Sequence, residues 1–204
     1  MPASPPPPVI LASRSAARIG LLRAAGVEVV PVEAPVDEES VREGLRAEGV
    51  STEDAATVLA ELKARRGADL AGPGPVVLGG DQILDLDGEW LEKPADRAAA
   101  RAQLLRLRGR EHRLVSAVVA FRNGARVWHH VEAARVWVRP FGETFLDDYL
   151  DRAGDAVLGS VGAYQLEGLG AQLMARVEGD FFTILGLPLL PLLQFLRDQG
   201  VLRD

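Results

Sequence analysis

The chain has 204 residues, 48% of them apolar, which is enough for one domain or one bilobed unit with a sizeable core. It contains no cysteine, so disulfides, thiolate nucleophiles and cysteine-held zinc or iron–sulfur centres are excluded, and any metal must be held by oxygen or imidazole. A formal net charge of −6 argues against coating nucleic acid, which needs many phosphates neutralised by Lys and Arg, but it allows a small anion met by a few converging cations.

Residues 1–8 form a proline-rich lead-in that is expected to fray. The start has no basic segment, and the apolar run 9–12 is too short for a signal sequence, so a cytoplasmic location is expected. Residues 9–12 read as a buried strand. Ser15 is placed to cap a helix that carries Ile19, Leu21 and Leu22 on its apolar side, with Gly26 closing it. Residues 27–30 give a second strand. Ser51 and Asp54 have capping-box spacing ahead of a helix whose Ala56, Leu59, Ala60 and Lys63 share one face.

Residues 76–78 suit a central strand, with Gly79, Gly80 and Asp81 directly at its end, where open α/β sheets carry their chemistry. Asp87 and Gly88 mark a tight turn, and Asp96 caps a helix running to about Gly109. Asn123 and Gly124 signal a hairpin between strands over 115–121 and 125–130, and residues 135–139 suggest a third antiparallel strand. A helix over 143–150, a glycine-rich segment over 159–170, strands over 173–177 and 181–185 and a final Leu-rich helix complete an α/β fold with a mixed sheet. The apolar stretch 181–196 is broken by Gly186, Pro188 and Pro191 and falls short of the ~20 residues of a membrane span, so no membrane association is expected.

Only two of the twenty-three basic residues are lysines, Lys63 and Lys93. In so arginine-rich a chain, a retained lysine points to a site that needs a compact ammonium rather than a planar fork. Four segments concentrate chemistry: LASRSAAR at 11–18, VDEE at 36–39, GGDQ at 79–82 with EKP at 92–94, and GAYQLEGLGA at 162–171. The first supplies small residues, hydroxyls and Arg18 where a helix N-terminus can meet an anion. Carboxylates at Glu38 and Asp81 suit Mg²⁺ or Mn²⁺, hard cations that prefer oxygen. Alternatives stay open at each position. Ser13 and Ser15 serve equally as ordinary caps, the acidic run as a solvated loop, and Asp81 as a turn former. His112, His129 and His130 read as structural or surface residues.

Taken together and in this order, the segments resemble the Maf family of nucleotide pyrophosphatases along almost the whole chain: LAS with Arg18, VDE, LA..KA, G.DQ, the DG turn, KP, AY..EG.G, and EGD leading to GLPL. The resemblance implies a single bilobed α/β domain over 9–204 with a central cleft, a homodimer in many members, and hydrolysis of a nucleoside triphosphate to the monophosphate and pyrophosphate with a divalent cation. It implies Asp81 as the catalytic acid or base, with Glu38, Lys63, Lys93, Arg18 and Ser13 on the metal and phosphate side. The corresponding chemistry is in-line attack of water oriented or deprotonated by Asp81, with the cations stabilising the leaving pyrophosphate.

Gln82 after the aspartate, with Glu167 in the later loop, resembles the branch favouring 7-methyl-GTP, whereas a Thr and Gln pair marks the branch favouring dTTP and UTP. A carboxylate at Glu167 suits the two adjacent donors of a guanine edge. The position before Arg18, bulky or basic in both branches, is Ala17 here and leaves broader selectivity open. Tyr164 is placed either to stack near the ligand or to pack beneath its loop. A nucleotide-sensing regulator of septum formation without turnover is the alternative from another class.

Overall fold

The computed structural model describes residues 8–203, so the expected lead-in lies outside the described residues except for Pro8. Seven strands, β1 (Val9–Leu11), β2 (Val29–Pro31), β3 (Val77–Leu86), β4 (Glu89–Leu91), β5 (Glu111–Arg122), β6 (Ala125–Val138) and β7 (Met174–Glu178), form one mixed sheet in the order β2-β1-β3-β5-β6-β7, with β4 on β3. The opening follows the sequence closely. Strand β1 (Val9–Leu11) leads to α1 (Ala16–Ala24), whose N-cap Ser15 accepts from the Arg18 amide. Gly26 then takes φ 77, open to a residue without Cβ, and β2 (Val29–Pro31) pairs parallel with β1. Residues 36–39 do not form a solvated loop. Asp37 accepts from the Ser40 amide at 3.2 Å and starts α2 (Glu38–Ala47), a helix absent from the elements expected from the sequence.

Helix α3 (Thr52–Ala71) starts where Ser51 accepts from the Asp54 amide at 3.1 Å. Strand β3 (Val77–Leu86) is longer than expected: it runs on through Gly79, Gly80 and Asp81, so Asp81 sits in mid-strand and not at a strand end. Its first residues pair parallel with β1, and its last pair antiparallel with β4 (Glu89–Leu91) across the Asp87–Gly88 turn, both of whose residues have positive φ.

Asp96 caps α4 (Arg97–Leu107), accepting from Ala99 at 2.7 Å. Strands β5 (Glu111–Arg122) and β6 (Ala125–Val138) form the hairpin about Asn123–Gly124, both with positive φ. Residues 135–139 are therefore largely the continuation of β6, not a separate strand. After α5 (Glu143–Ala153) and three short 3₁₀ segments comes β7 (Met174–Glu178), antiparallel to β6. Residues 181–185 are not a strand. Asp180 accepts from the Thr183 amide at 2.9 Å and opens the short helix α6 (Phe181–Ile184), a cap that overrides the apolar composition. Helix α7 (Leu189–Asp198) follows as expected. Among the described residues no helix is long and apolar enough to cross a membrane.

The chain divides into two compact units: residues up to Gln82 with 116–132 and 186 onward, and residues 83–115 with 133–185. Strands β3, β5 and β6 each contribute to both. The first unit is built on close contact between α3 and the sheet. The buried face of α3 is made of small residues, Ala55, Ala56, Ala60, Ala64 and Gly67, with Leu59. A Cβ on Gly79 would fall 2.2 Å from the Ala60 carbonyl oxygen and 2.4 Å from the Ala64 nitrogen. Both obstacles are backbone, so no rotamer change relieves them. Gly79 is thus the reason that α3 can press onto β3 and bring Lys63, one turn beyond Ala60, to the strand.

The second unit has its own core from Leu84, Leu104, Leu107, Leu114, Leu146, Leu150 and Leu173. Beneath its glycine-rich segment lies a polar support. The Tyr149 hydroxyl donates to the Ala163 carbonyl at 3.0 Å, and Ala163 itself holds φ 57, a left-handed conformation unusual for a residue with a Cβ. Tyr164 is buried and does not stack at a surface; its hydroxyl meets His112 Nε2 at 2.6 Å. His112 Nδ1 is buried without a partner among the described residues. Burial pushes the imidazole down to about 4 and the Tyr149 hydroxyl up to about 12, so His112 is neutral at physiological pH.

Two outcomes follow from this packing. Gly79→Ala should lower unfolding stability by ~3 kcal/mol or more, above the usual ~1–3 for overpacking because the clash is with backbone; a urea melt within ~1 kcal/mol of the parent would contradict the close contact. For His112, the unfolded imidazole protonates near ~6.5 but the folded one only near 4, so stability is retained above pH ~6.5 and lost as pH falls towards 4. That window is worth about 3 kcal/mol. His112→Gln should therefore lose roughly 3 kcal/mol less than the parent between pH 7 and pH 4, read from urea melts at the two pH values.

Candidate functional site

The first unit gathers most of the expected residues around Asp81. Asp81 is 3% exposed on β3. Lys63, from α3, places Nζ 2.8 Å from Asp81 Oδ1 and 2.8 Å from Glu38 Oε2, so one ammonium joins the two carboxylates. The Lys63 side chain is only 12% exposed, whereas that of Glu38 is 42% exposed. The placement is a consequence of local structure. Asp37 starts α2 so that Glu38 stands in its first turn, and Gly79 brings α3 onto the strand.

Arg42 was not among the residues expected from the sequence, yet it is central. It lies four residues beyond Glu38 on α2, is buried, and sets Nη2 3.0 Å from Asp81 Oδ2 and 3.3 Å from Oδ1. Its distance to Glu38 Oε2 is 3.9 Å. With α2 recognised from the Asp37 cap, the i,i+4 spacing of Glu38 and Arg42 would have placed both on one face.

Arg18 is also buried, and its bonds are to neutral groups. Nε donates to the Gly186 carbonyl at 2.7 Å and Nη1 to the Ser13 hydroxyl at 3.4 Å. Among the described residues no carboxylate pairs with it. Burial pushes the guanidinium below its ordinary value, opposed by Asp81 and Glu38 and reinforced by Arg42. Glycines make its slot: a Cβ on Gly80 would stand 3.2 Å from Arg18 Nε. Ser15 is the N-cap of α1, and the Ser13 hydroxyl accepts from the Ser15 amide at 3.2 Å, so both serines have structural duties beside the site. Ala17, in the first turn of α1, is exposed. Gln82 is half-buried, and its amide nitrogen donates to the Ser116 hydroxyl at 3.0 Å.

The other expected residues belong to the second unit. Lys93 follows β4 and is exposed, as is Glu167 on the turn after Tyr164. Tyr164 is buried beneath that turn, with its hydroxyl on His112. His129 and His130 lie on β6 away from any cluster of metal-ligating side chains, and Trp128 stacks on Phe195 at 4.9 Å.

In the first unit three cations, Arg18, Arg42 and Lys63, stand against two carboxylates, Asp81 and Glu38, an excess of one positive charge in a largely buried setting. Such a group suits an anion. Among the described residues no cluster of three or more His, Asp or Glu is available to a metal. Two carboxylates do fit a cation such as Mg²⁺, which keeps water and takes one or two carboxylates together with substrate phosphates, and they do not make an all-protein cage.

Residues 8–199 match the family described as "Maf: Maf-like protein". A nucleoside triphosphate pyrophosphatase of Paramagnetospirillum magneticum is 58% identical over 95% of this chain and 99% of its own length. A 7-methyl-GTP pyrophosphatase of Brucella abortus is 47% identical over 94% of this chain and 96% of its own. Among solved structures, a dITP/XTP pyrophosphatase from Mycobacterium abscessus aligns with 65% of this chain and 74% of its own at 22% identity and a TM-score of 0.36. The match from residue 8 to residue 199, with relatives at about half identity or better over their full length, establishes that this chain belongs to the Maf family.

Proposed function

We propose that this chain is a nucleoside triphosphate pyrophosphatase that cleaves its substrate to the monophosphate and pyrophosphate, with 7-methyl-GTP as the preferred substrate and the clearance of modified nucleotides as its role. The observation that carries the reading is Arg18, a buried guanidinium bonded to a carbonyl and a hydroxyl and paired with no carboxylate among the described residues. A buried cation in that state is stabilised when an anion arrives. The names of the relatives at 47–58% identity support a triphosphate as that anion.

Cleavage between the α and β phosphates needs positioning and charge neutralisation more than covalent chemistry. Arg18 and Lys63 hold the phosphates. Asp81 orients a water for in-line attack on the α phosphorus and accepts its proton as the bond to the β phosphate oxygen breaks. The charge that develops on the leaving pyrophosphate is met by the same two cations. A Mg²⁺ or Mn²⁺ ion beside Glu38 and Asp81 would supply further charge neutralisation on the phosphate oxygens. The base preference rests on the resemblance of the Gln82 and Glu167 motif positions to the branch favouring 7-methyl-GTP; a carboxylate suits the paired donors of guanine and the positive charge of its methylated form. The Brucella relative's name supports the same choice.

The deciding experiment is pyrophosphate release with Mg²⁺ or Mn²⁺ across 7-methyl-GTP, GTP, dTTP, UTP, CTP and ITP, with the monophosphate identified. Preference for 7-methyl-GTP is expected; preference for dTTP or UTP overturns the base assignment, and no turnover of any overturns the pyrophosphatase reading. Asp81→Asn should lower turnover at least ~100-fold, the scale of a lost general base, and near-parental turnover would remove Asp81 from that role. Glu167→Gln should lower kcat/KM for 7-methyl-GTP by ~10-fold or more, the worth of a charge-assisted hydrogen bond, with little change for dTTP.

A further inference from the structure

We infer that Arg42 is a positioning residue for the reaction, fixing the plane of the Asp81 carboxylate; the inference rests on the pyrophosphatase reading. Lys63 reaches only Oδ1 of Asp81, and the same ammonium also serves Glu38. One bond to one oxygen leaves the carboxylate free to turn, because the terminal torsion of Asp is broad and roughly two-fold. Arg42 Nη2 approaches both oxygens, at 3.0 and 3.3 Å, and supplies the second point of attachment. Asp81 is 3% exposed, so bulk water is poorly placed to take over that duty.

The geometry distinguishes this role from phosphate binding. The Arg42 donor is turned to Asp81, and its side chain is 10% exposed at the root of a helix face that also carries Glu38. Lys63, at 2.8 Å from Asp81, is shared with Glu38, so Arg42 completes the charge balance and at the same time fixes the carboxylate plane. A base whose plane is fixed loses less when it must meet a water in line with the breaking bond. Arg42 thus acts on turnover through Asp81 and leaves ground-state binding of the nucleotide to Arg18 and Lys63.

The test is steady-state pyrophosphate release by the full chain, its Arg42→Gln and Arg42→Lys forms, with 7-methyl-GTP and GTP and with melting temperatures recorded beside the kinetics. Arg42→Gln should lower kcat ~10–100-fold with KM within ~3-fold, an interaction made chiefly in the transition state. Arg42→Lys, which keeps a cationic donor, should recover at least ~5-fold of that loss. A raised KM with unchanged kcat would mean that Arg42 binds phosphate, and parental kcat in a folded Arg42→Gln protein would leave it a structural ion pair; either overturns the inference. Should Arg42→Gln not fold, Arg42→Lys alone decides: a parental KM with kcat reduced ~2–10-fold is expected, and fully parental kinetics overturn the inference. Absence of turnover in the unaltered protein overturns the pyrophosphatase reading itself, and this inference with it.

Discussion

A carboxylate in the middle of a buried strand is costly unless its charge is met, and Asp81 on β3 imposes that condition on the first unit. Two helices answer it. Helix α3 brings Lys63, and it does so because Gly79 leaves room for its backbone and because Ala60 and Ala64 present no bulk to the strand. Helix α2 brings Arg42, and it does so because Asp37 caps it at the right residue. The small residues, the cap and the cations are therefore parts of one requirement, visible at the sequence level only as separate short motifs.

The parts legible in the sequence were those with local causes. Ser15, Ser51 and Asp96 each cap the helix that their position announced, and Asn123–Gly124 and Asp87–Gly88 make the turns that positive φ demands. Where tertiary context decided, the sequence misled. A run of apolar residues at 181–185 carries no periodicity that separates strand from helix, and Asp180 alone tips it. The glycines at 79 and 80 read as a strand end, although Gly79 admits the covering helix and Gly80 admits the Arg18 side chain along a strand that continues. Arg42 was hidden for a different reason. In a chain with twenty-one arginines, only the Asp37 cap and the spacing from Glu38 separate Arg42 from those on the surface.

The candidate site was legible as a set of residue types and less so as a set of contacts. Lys63, Glu38 and Asp81 were named from their segments, and they do meet. Tyr164 is buried and its hydroxyl bonds His112 beneath the turn, a contact that no local pattern in the sequence announces. The same support holds Ala163 in a left-handed conformation through Tyr149, so the second unit maintains its glycine-rich segment by buried hydrogen bonds rather than by glycine alone.

Arg18 gives the free protein a standing thermodynamic handicap. A guanidinium enclosed by glycines, a carbonyl and a hydroxyl is compensated only through the fields of Asp81 and Glu38, so an apolar side chain of similar length would relieve the empty fold of its desolvation and, on the proposed reading, remove the capture of the anion. Selection for heat resistance alone would drive this position towards leucine or methionine. Its persistence as arginine would then record pressure from the ligand, and stability and ligand capture would make opposite demands on one side chain.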